Sequence, residues 1–312
     1  MNYRKVGQSG LYVSEITYGC ALTIGTENKS LDFAQNMVDT AWALGIRSFD
    51  VANHYGDGEA EVLLGQALKK YPRQGYVLTT KGGRSMGDTP YLQGLSRKHI
   101  RWALEESLRR LDTPYADIYY AHRYDPETPM TEIVRVFNDL IREGKILYWA
   151  TSEWPLSALE ECFSVCEQLQ LEPPISEQFI YSFAVQKVHE NGIKDFCEKH
   201  GMGTFGYSPL CQGWLTGKYR NGIPADSRIA KSQTISYDKT KNFYRQFQSR
   251  IDAYLQVCDR YNAVPSHVAI QWCLKNGVFP VLGASKPEQL RQTVSALESE
   301  YPESMWAELK KI

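Results

Sequence analysis

A short apolar run followed by a stretch with helical spacing recurs eight times between Glu15 and Ser299. Strands that alternate with helices in this way imply a parallel sheet with helices packed on it. The apolar runs are Glu15–Cys20, Ile46–Asp50, Tyr76–Lys81, Ala116–Ala121, Ile146–Thr151, Ile175–Phe179, Gly203–Tyr207 and Val278–Leu282. Between the first two, Phe33, Met37, Val38, Ala41 and Leu44 share one helical face, and Gly45 supplies the stop. Ser96 caps a helix to Leu111, Gly144 closes one over Met130–Glu143, and Pro155 opens one to about Leu169. The remaining helices are read at Glu59–Tyr71, Val188–His200, Arg250–Tyr261, Ser266–Lys275 and Pro287–Ser299. Eight such units in about 300 residues predict a closed (β/α)8 TIM barrel. A doubly wound open sheet is the runner-up. It would carry a GxGxxG turn after the first strand, and none follows Cys20.

Two segments fall outside the alternation. Tyr3–Ser14 reads as a hairpin turning at Gln8-Ser9-Gly10. It is too short for a domain and is expected to cap the bottom of the barrel. Ser208–Ser249, rich in Gly, Ser, Lys and Tyr, follows the seventh core strand. The pattern resumes after it, which marks a long functional loop rather than a linker. Residues 1–312 are therefore expected to form a single barrel domain.

Composition narrows the function. The chain is 43% hydrophobic and 23% charged, with a net charge of -1. No basic surface argues for nucleic acid or anionic membrane. There is no apolar run of 18 residues, and the start, MNYRKVGQSG, is polar, so no membrane insertion and a cytoplasmic location are expected. The seven cysteines are an odd number without CxxC spacing, which fits reduced thiols and no metal site. Cys162 and Cys166 could share a helical face, and buried thiols are the better reading there too.

In parallel α/β folds the chemistry sits at the carboxyl ends of the strands. The second core strand ends at Asp50, with Tyr55 in the loop beyond it. The third ends at Lys81 and the fourth reaches His122. The fifth gives Ser152, the sixth Gln178, and the seventh Tyr207-Ser208-Pro209. Lys81 follows Asp50 by 31 residues and His122 follows Lys81 by 41, about one β/α unit each, so all reach one rim. A free tyrosine has a pKa of about 10, high for an acid at neutral pH. A lysine ammonium beside it would lower that value. A carboxylate paired with the lysine would keep it charged and aimed. A neutral histidine could donate a hydrogen bond to a carbonyl oxygen, and tyrosine could hand that oxygen a proton. The set lacks a nucleophile for carbon, so a hydride donor has to supply it. Each residue alone has a bland reading as a turn acid, a surface ring or a solvated strand end. Four at consecutive strand ends do not. His54, beside Tyr55, is read as a bystander.

FDVANHYGDGEAEVLLG (49–65), TTKGG (79–83), GLSRKHI (94–100), AHRYD (121–125), TSEW (151–154), SEQ (176–178), SPLCQGWLTGKY (208–219) and LGASKPEQL (282–290) together resemble the aldo-keto reductase family. Within it they are similar to the branch containing the β subunits of voltage-gated potassium channels and related bacterial and plant reductases. The resemblance implies a barrel that reduces aldehydes or ketones to alcohols with NADPH by hydride transfer. Asp50, Tyr55, Lys81 and His122 match the family tetrad, with Tyr55 as general acid. Ser152 and Gln178 match the groups that hold the nicotinamide carboxamide, and Tyr207 the ring stacked on it. Ser208, Pro209, Leu210, Gly213 and Lys218 match the loop over the pyrophosphate. Gly283, Ser285, Lys286 and Gln289 match the segment around the 2′-phosphate and adenine. Arg228 falls at a phosphate-contacting position of the branch. Cys20, Ala21 and Asp50 complete the expected NADPH/NADP+ contacts. Independently of the resemblance, Lys218, Arg228 and Lys286 are cations in Gly- or Ser-containing loops, suited to phosphate. Ser285–Pro287 is a helix start of the phosphate-binding kind.

Two positions depart from the branch. Gln292 and Thr293 stand where it carries Glu and Asn near the adenine, and His122 stands where channel subunits commonly have Asn. The second reading is a cofactor-loaded module that docks on a membrane channel or other partner. His122, and a hairpin that begins at residue 3 with no channel-blocking extension, favour the enzyme. The substrate is expected to be a small carbonyl compound. The pocket rim is expected to include Ala21, Tyr55 and Trp154, with Tyr91 and Tyr124, which suits an apolar, aromatic-tolerant site. The branch often assembles into tetramers or larger rings, so a homo-oligomer is compatible with the resemblance.

Overall fold

The computed structural model describes residues 1–225, 227, 230 and 245–312. Two strands, β1 (Tyr3–Lys5) and β2 (Tyr12–Ser14), pair antiparallel as the amino-terminal hairpin. Eight more follow: β3 (Thr17–Gly19), β4 (Ser48–Asp50), β5 (Val77–Gly82), β6 (Ala116–Ala121), β7 (Ile146–Ser152), β8 (Ser176–Ile180), β9 (Gly203–Tyr207) and β10 (Val278–Leu282). They close into a ring in the order β10-β3-β4-β5-β6-β7-β8-β9, with every pairing parallel. This is the expected (β/α)8 barrel, and the open sheet is excluded.

The helices start where the sequence offers caps. Ser30 Oγ accepts from Phe33 N at 3.4 Å before Leu31–Ala43, and Ser96 Oγ from His99 N at 3.3 Å before Arg97–Leu111. Three helices are shorter or more broken than their apolar spacing suggests. Glu59–Leu68 stops early, Pro287–Val294 passes into a tighter turn at Ser295–Glu298, and Lys187–Glu190 and Ile193–Lys199 are separate pieces. Core strands β3 and β4 are also shorter than their apolar runs. Ile16 and Ile46 are buried, but Ile46 N donates to Ala41 O and so closes the preceding helix instead of joining the ladder.

The barrel is closed below and open above. Val77, Ile118, Tyr120, Ala150, Phe205, Phe279 and Val281 fill its interior together with Val6 and Val13 of the hairpin. Phe205 and Phe279 stack at 5.0 Å across β9 and β10. Val6 N donates to Leu11 O and Ser9 N to Val6 O, so the turn starts two residues earlier than Gln8-Ser9-Gly10. Gln8 N then donates to Gly201 O at 2.8 Å, which ties the hairpin to the chain just before β9. Gly7 makes this approach possible: its φ is +56°, and a Cβ there would lie 2.0 Å from Gly201 O. A packed floor leaves the carboxyl ends of the strands as the place for a site.

All seven cysteines are free and buried. Among the described residues there is no metal-binding cluster, and no helix is long and apolar enough to cross a membrane.

Candidate active site

Asp50 is the last residue of β4, and in the ladder it pairs with Thr79 of β5. Lys81 lies two residues further along β5, on the same side of the pleat. Its ammonium is fully buried and donates to Asp50 Oδ1 at 2.5 Å, to Val51 O at 2.9 Å and to the Tyr55 hydroxyl at 3.3 Å. The other carboxylate oxygen, Asp50 Oδ2, accepts from Gln178 Nε2 at 2.9 Å. Tyr55 arrives on a turn in which Gly56 and Asp57 both have positive φ, 57° and 55°. His122, the first residue after β6, is anchored by its own N–H to Gly82 O at 2.9 Å. Its ring lies 6.0 Å from the Tyr55 ring. The four residues expected from the strand ends are therefore one cluster.

The charges settle as follows. Burial alone would depress the Lys81 ammonium, but Asp50 and Tyr55 outweigh it and hold its pKa above the usual lysine value. Burial pushes His122 well below an ordinary histidine, reinforced by Lys81, His54 and Arg123, so the ring is neutral at physiological pH. Tyr55 differs from the sequence-based expectation. Its phenol is raised, not lowered: burial is the largest cause, and the opposing pull of Lys81 does not cancel it. Asp50, whose carboxylate lies 2.5 Å from the ammonium, adds to burial and offsets part of that pull.

These groups open onto a cavity of about 1030 Å³ that crosses the top of the barrel. Asp50, Tyr55, His122, Ser152, Gln178 and Tyr207 line one end. Lys218, Gly283, Ser285, Lys286 and Gln289 line the other, and Ala21, Ser208, Pro209, Leu210 and Gly213 are also in the lining. Lys81 is buried behind this wall. Cys20 does not line the cavity: Gly19 and Ala21 face it, and the thiol between them points into the core on the opposite side of the chain. Arg228 lies outside the described residues. Gln292 and Thr293 both reach the lining.

The rim is not the aromatic one expected. Trp154 is buried in the core against Tyr124, with ring centroids 5.4 Å apart, and neither lines the cavity. Tyr91 is exposed and away from it. Arg84 and Arg123, which the sequence reading passed over, and His54, which it takes for a bystander, are in the lining instead. The signal for the arginines was present, since each follows a strand end by two residues. His54 wedges against both Tyr55 and His122, each at 4.7 Å. Burial, then Arg84, Lys81 and Arg123, push its pKa down to about 3.

The cavity fits a dinucleotide. Ser152 and Gln178 are register partners on β7 and β8. Gln178 gives its amide nitrogen to Asp50, which leaves its carbonyl oxygen as an acceptor, and Ser152 Oγ accepts from Arg123 Nη1 at 3.3 Å, which leaves its proton to donate. One donor beside one acceptor is what a carboxamide requires. At the far end Lys218 lies across Gly213, whose Cβ, if present, would meet Lys218 Cε at 2.5 Å. The same loop holds Ser208, Cys211 and Gln212 at positive φ, a conformation costing about 1–3 kcal/mol per residue and typical of ligand clamps. Lys286 lines the cavity and precedes the helix Pro287–Val294, whose first turn closes on its own carbonyl: Gln289 N and Leu290 N both donate to Lys286 O.

Comparison with known proteins bears on this geometry. The sequence profile of the Aldo/keto reductase family matches residues 15–312. A protein of Schizosaccharomyces pombe named "Putative voltage-gated potassium channel subunit beta" is 38% identical over 302 residues, which cover 95% of this chain and 88% of that relative.

Proposed function

This chain belongs to the aldo/keto reductase family, and from that premise we propose that it is an NADPH-dependent reductase of aldehydes or ketones. The observation that carries the reading is the Asp50–Lys81–Tyr55 chain beside a neutral His122, all at the mouth of one cavity. Bound NADPH would supply the hydride to the carbonyl carbon. Ser152 and Gln178 would hold its carboxamide, Tyr207 its ring, and Lys218, Ser285 and Lys286 its phosphates. Tyr55 keeps its proton at neutral pH and so stands ready to donate it to the carbonyl oxygen. Lys81, fixed by Asp50, stabilises the phenolate formed as that proton leaves. His122 donates a hydrogen bond that orients the same oxygen.

The test is steady-state turnover. Methylglyoxal or 4-nitrobenzaldehyde should oxidise NADPH many times per subunit. A single stoichiometric oxidation, or none, would overturn the enzyme and favour the docking-subunit reading suggested by the relative's name.

Lys286→Ala should weaken NADPH and leave NADH nearly unchanged. A charge-assisted contact to the 2′-phosphate is worth about 1.5–3 kcal/mol, or about tenfold to a hundredfold in Kd. Equal losses for both cofactors in a fluorescence titration would show that Lys286 does not meet that phosphate.

The pH profile follows from the pKa directions. His122 lies well below its ordinary value and His54 at about 3, while Tyr55 is raised. Neither these three nor Lys81, whose pKa is also raised, changes charge in between, so kcat at saturating NADPH should stay flat from about pH 6 to 9. A break at about 6.5 would show that one of the histidines titrates during turnover.

A further inference from the structure

Arg84 and Arg123 occupy matching places. Gly82 of β5 and Ala121 of β6 are register partners, and each arginine comes two residues after its partner. Their loops therefore rise side by side on one arc of the rim, and both side chains line the cavity. This arc is not the proposed phosphate end. In the ring order β10-β3-β4-β5-β6-β7-β8-β9, strands β5 and β6 stand across the barrel from β9 and β10, which lead to Lys218 and Lys286.

Among the described residues the two guanidinium groups have no counter-ion. Neither makes an ion pair among the described residues. Arg123 Nη1 donates to His122 O at 2.7 Å and to Ser152 Oγ at 3.3 Å, and its remaining N–H groups have no partner there. Arg84 is exposed and its side chain makes no hydrogen bond among the described residues. Among those residues the cavity lining holds one carboxylate, Asp50, and both of its oxygens are already taken by Lys81 and Gln178. The wall between the arginines and Tyr55 also has unmet polar groups: Nδ1 of His54 and Nδ1 of His122 are buried without a partner. Two cations side by side repel each other, and an anion between them relieves that repulsion while accepting their planar donors.

We propose that Arg84 and Arg123 form an anion seat on the substrate side of the cavity, so that the preferred carbonyl compounds carry a carboxylate or a phosphate. The proposal rests on the reductase reading above and specifies its substrate class. The seat lies beyond the reacting carbonyl and holds the far end of the substrate.

The experiment uses matched substrate pairs with NADPH: succinic semialdehyde against its methyl ester, and glyceraldehyde 3-phosphate against glyceraldehyde. In at least one pair the wild type should favour the anion in kcat/KM by about tenfold or more. The pair with the larger ratio identifies carboxylate or phosphate as the fitting group. Arg84→Gln should cut that ratio by about tenfold to a hundredfold, mainly through KM, and Arg84→Lys should restore part of it. Arg84 is the test position because Arg123 also touches Ser152. Neutral aldehydes reduced as well as their anionic partners would overturn the anion seat and leave the reductase standing, as would a ratio unmoved by Arg84→Gln. Turnover of methylglyoxal or 4-nitrobenzaldehyde with none of these four compounds reduced would likewise overturn the anion seat alone; no turnover of any of the six would remove the reductase reading and this one with it.

Discussion

Tyr55→Phe is expected to lower kcat for an aldehyde by about 10²–10⁴-fold, the usual cost of removing a positioned general acid. NADPH affinity should survive. The substitution removes one oxygen and keeps the ring, which packs edge-on against His54 at 4.7 Å. The proposed cofactor contacts come from Ser152, Gln178 and the loops after β9 and β10, none of which touches the lost hydroxyl. Lys81 keeps its two shorter hydrogen bonds, to Asp50 at 2.5 Å and Val51 O at 2.9 Å, and loses only the one at 3.3 Å. Folding stability should therefore stay close to wild type. The raised phenol pKa sharpens the expectation: Tyr55 enters the reaction fully protonated, and no water-exposed phenolate competes with it. The measurement is kcat alongside a fluorescence titration of NADPH. A variant that keeps more than about a tenth of wild-type kcat would assign the proton to another group, with His122 the nearest alternative.

The barrel was legible because its signal is periodic. Eight apolar runs spaced by helices leave few topologies, and a residue at the end of such a run lands at the carboxyl end of a strand. Asp50, Lys81, Ser152 and Gln178 were found by that rule alone. Arg84 and Arg123 obey it too, two residues further on, where a loop charge looks like ordinary solvated surface. What the rule does not carry is direction around the pleat. Gly19 and Ala21 face the cavity while Cys20 between them faces the core. Trp154 follows Ser152 by two residues and is expected on the rim, but it is buried in the core. Glu153, at φ 57°, turns the chain, and Trp154 packs inward with Tyr124.

The sign of the Tyr55 shift was illegible for a different reason. A lysine near a tyrosine lowers the phenol's pKa only where its pull exceeds the cost of burying the phenolate. That depends on how close Asp50 comes to the ammonium and how deeply all three are buried, and neither quantity is local in sequence. The same holds for His54. Its neighbours in the chain suggest a bystander, but β6 brings His122 to 4.7 Å and makes it part of the wall.

Lys81→Met should separate the two roles of the buried pair. Turnover should fall by about 10²–10⁴-fold, because the phenolate left by proton transfer loses the cation hydrogen-bonded to it. Stability should fall as well, by about 3–5 kcal/mol, which Tyr55→Phe does not do. Asp50 is buried, and Gln178 alone would remain to meet its charge. The cost arises from leaving one partner of an ion pair unpaired, not from the net worth of the pair, since buried pairs replaced whole are often neutral in stability. Adding Asp50→Asn should therefore recover most of the lost stability: the amide oxygen still accepts from Gln178, and no naked charge remains. It should recover none of the turnover. The measurements are urea unfolding midpoints and kcat on the wild type, the single variant and the double variant. A Lys81→Met chain as stable as wild type would mean that Asp50 and Lys81 are not a desolvated pair. A double variant with restored kcat would mean that the lysine's charge has no part in the proton transfer.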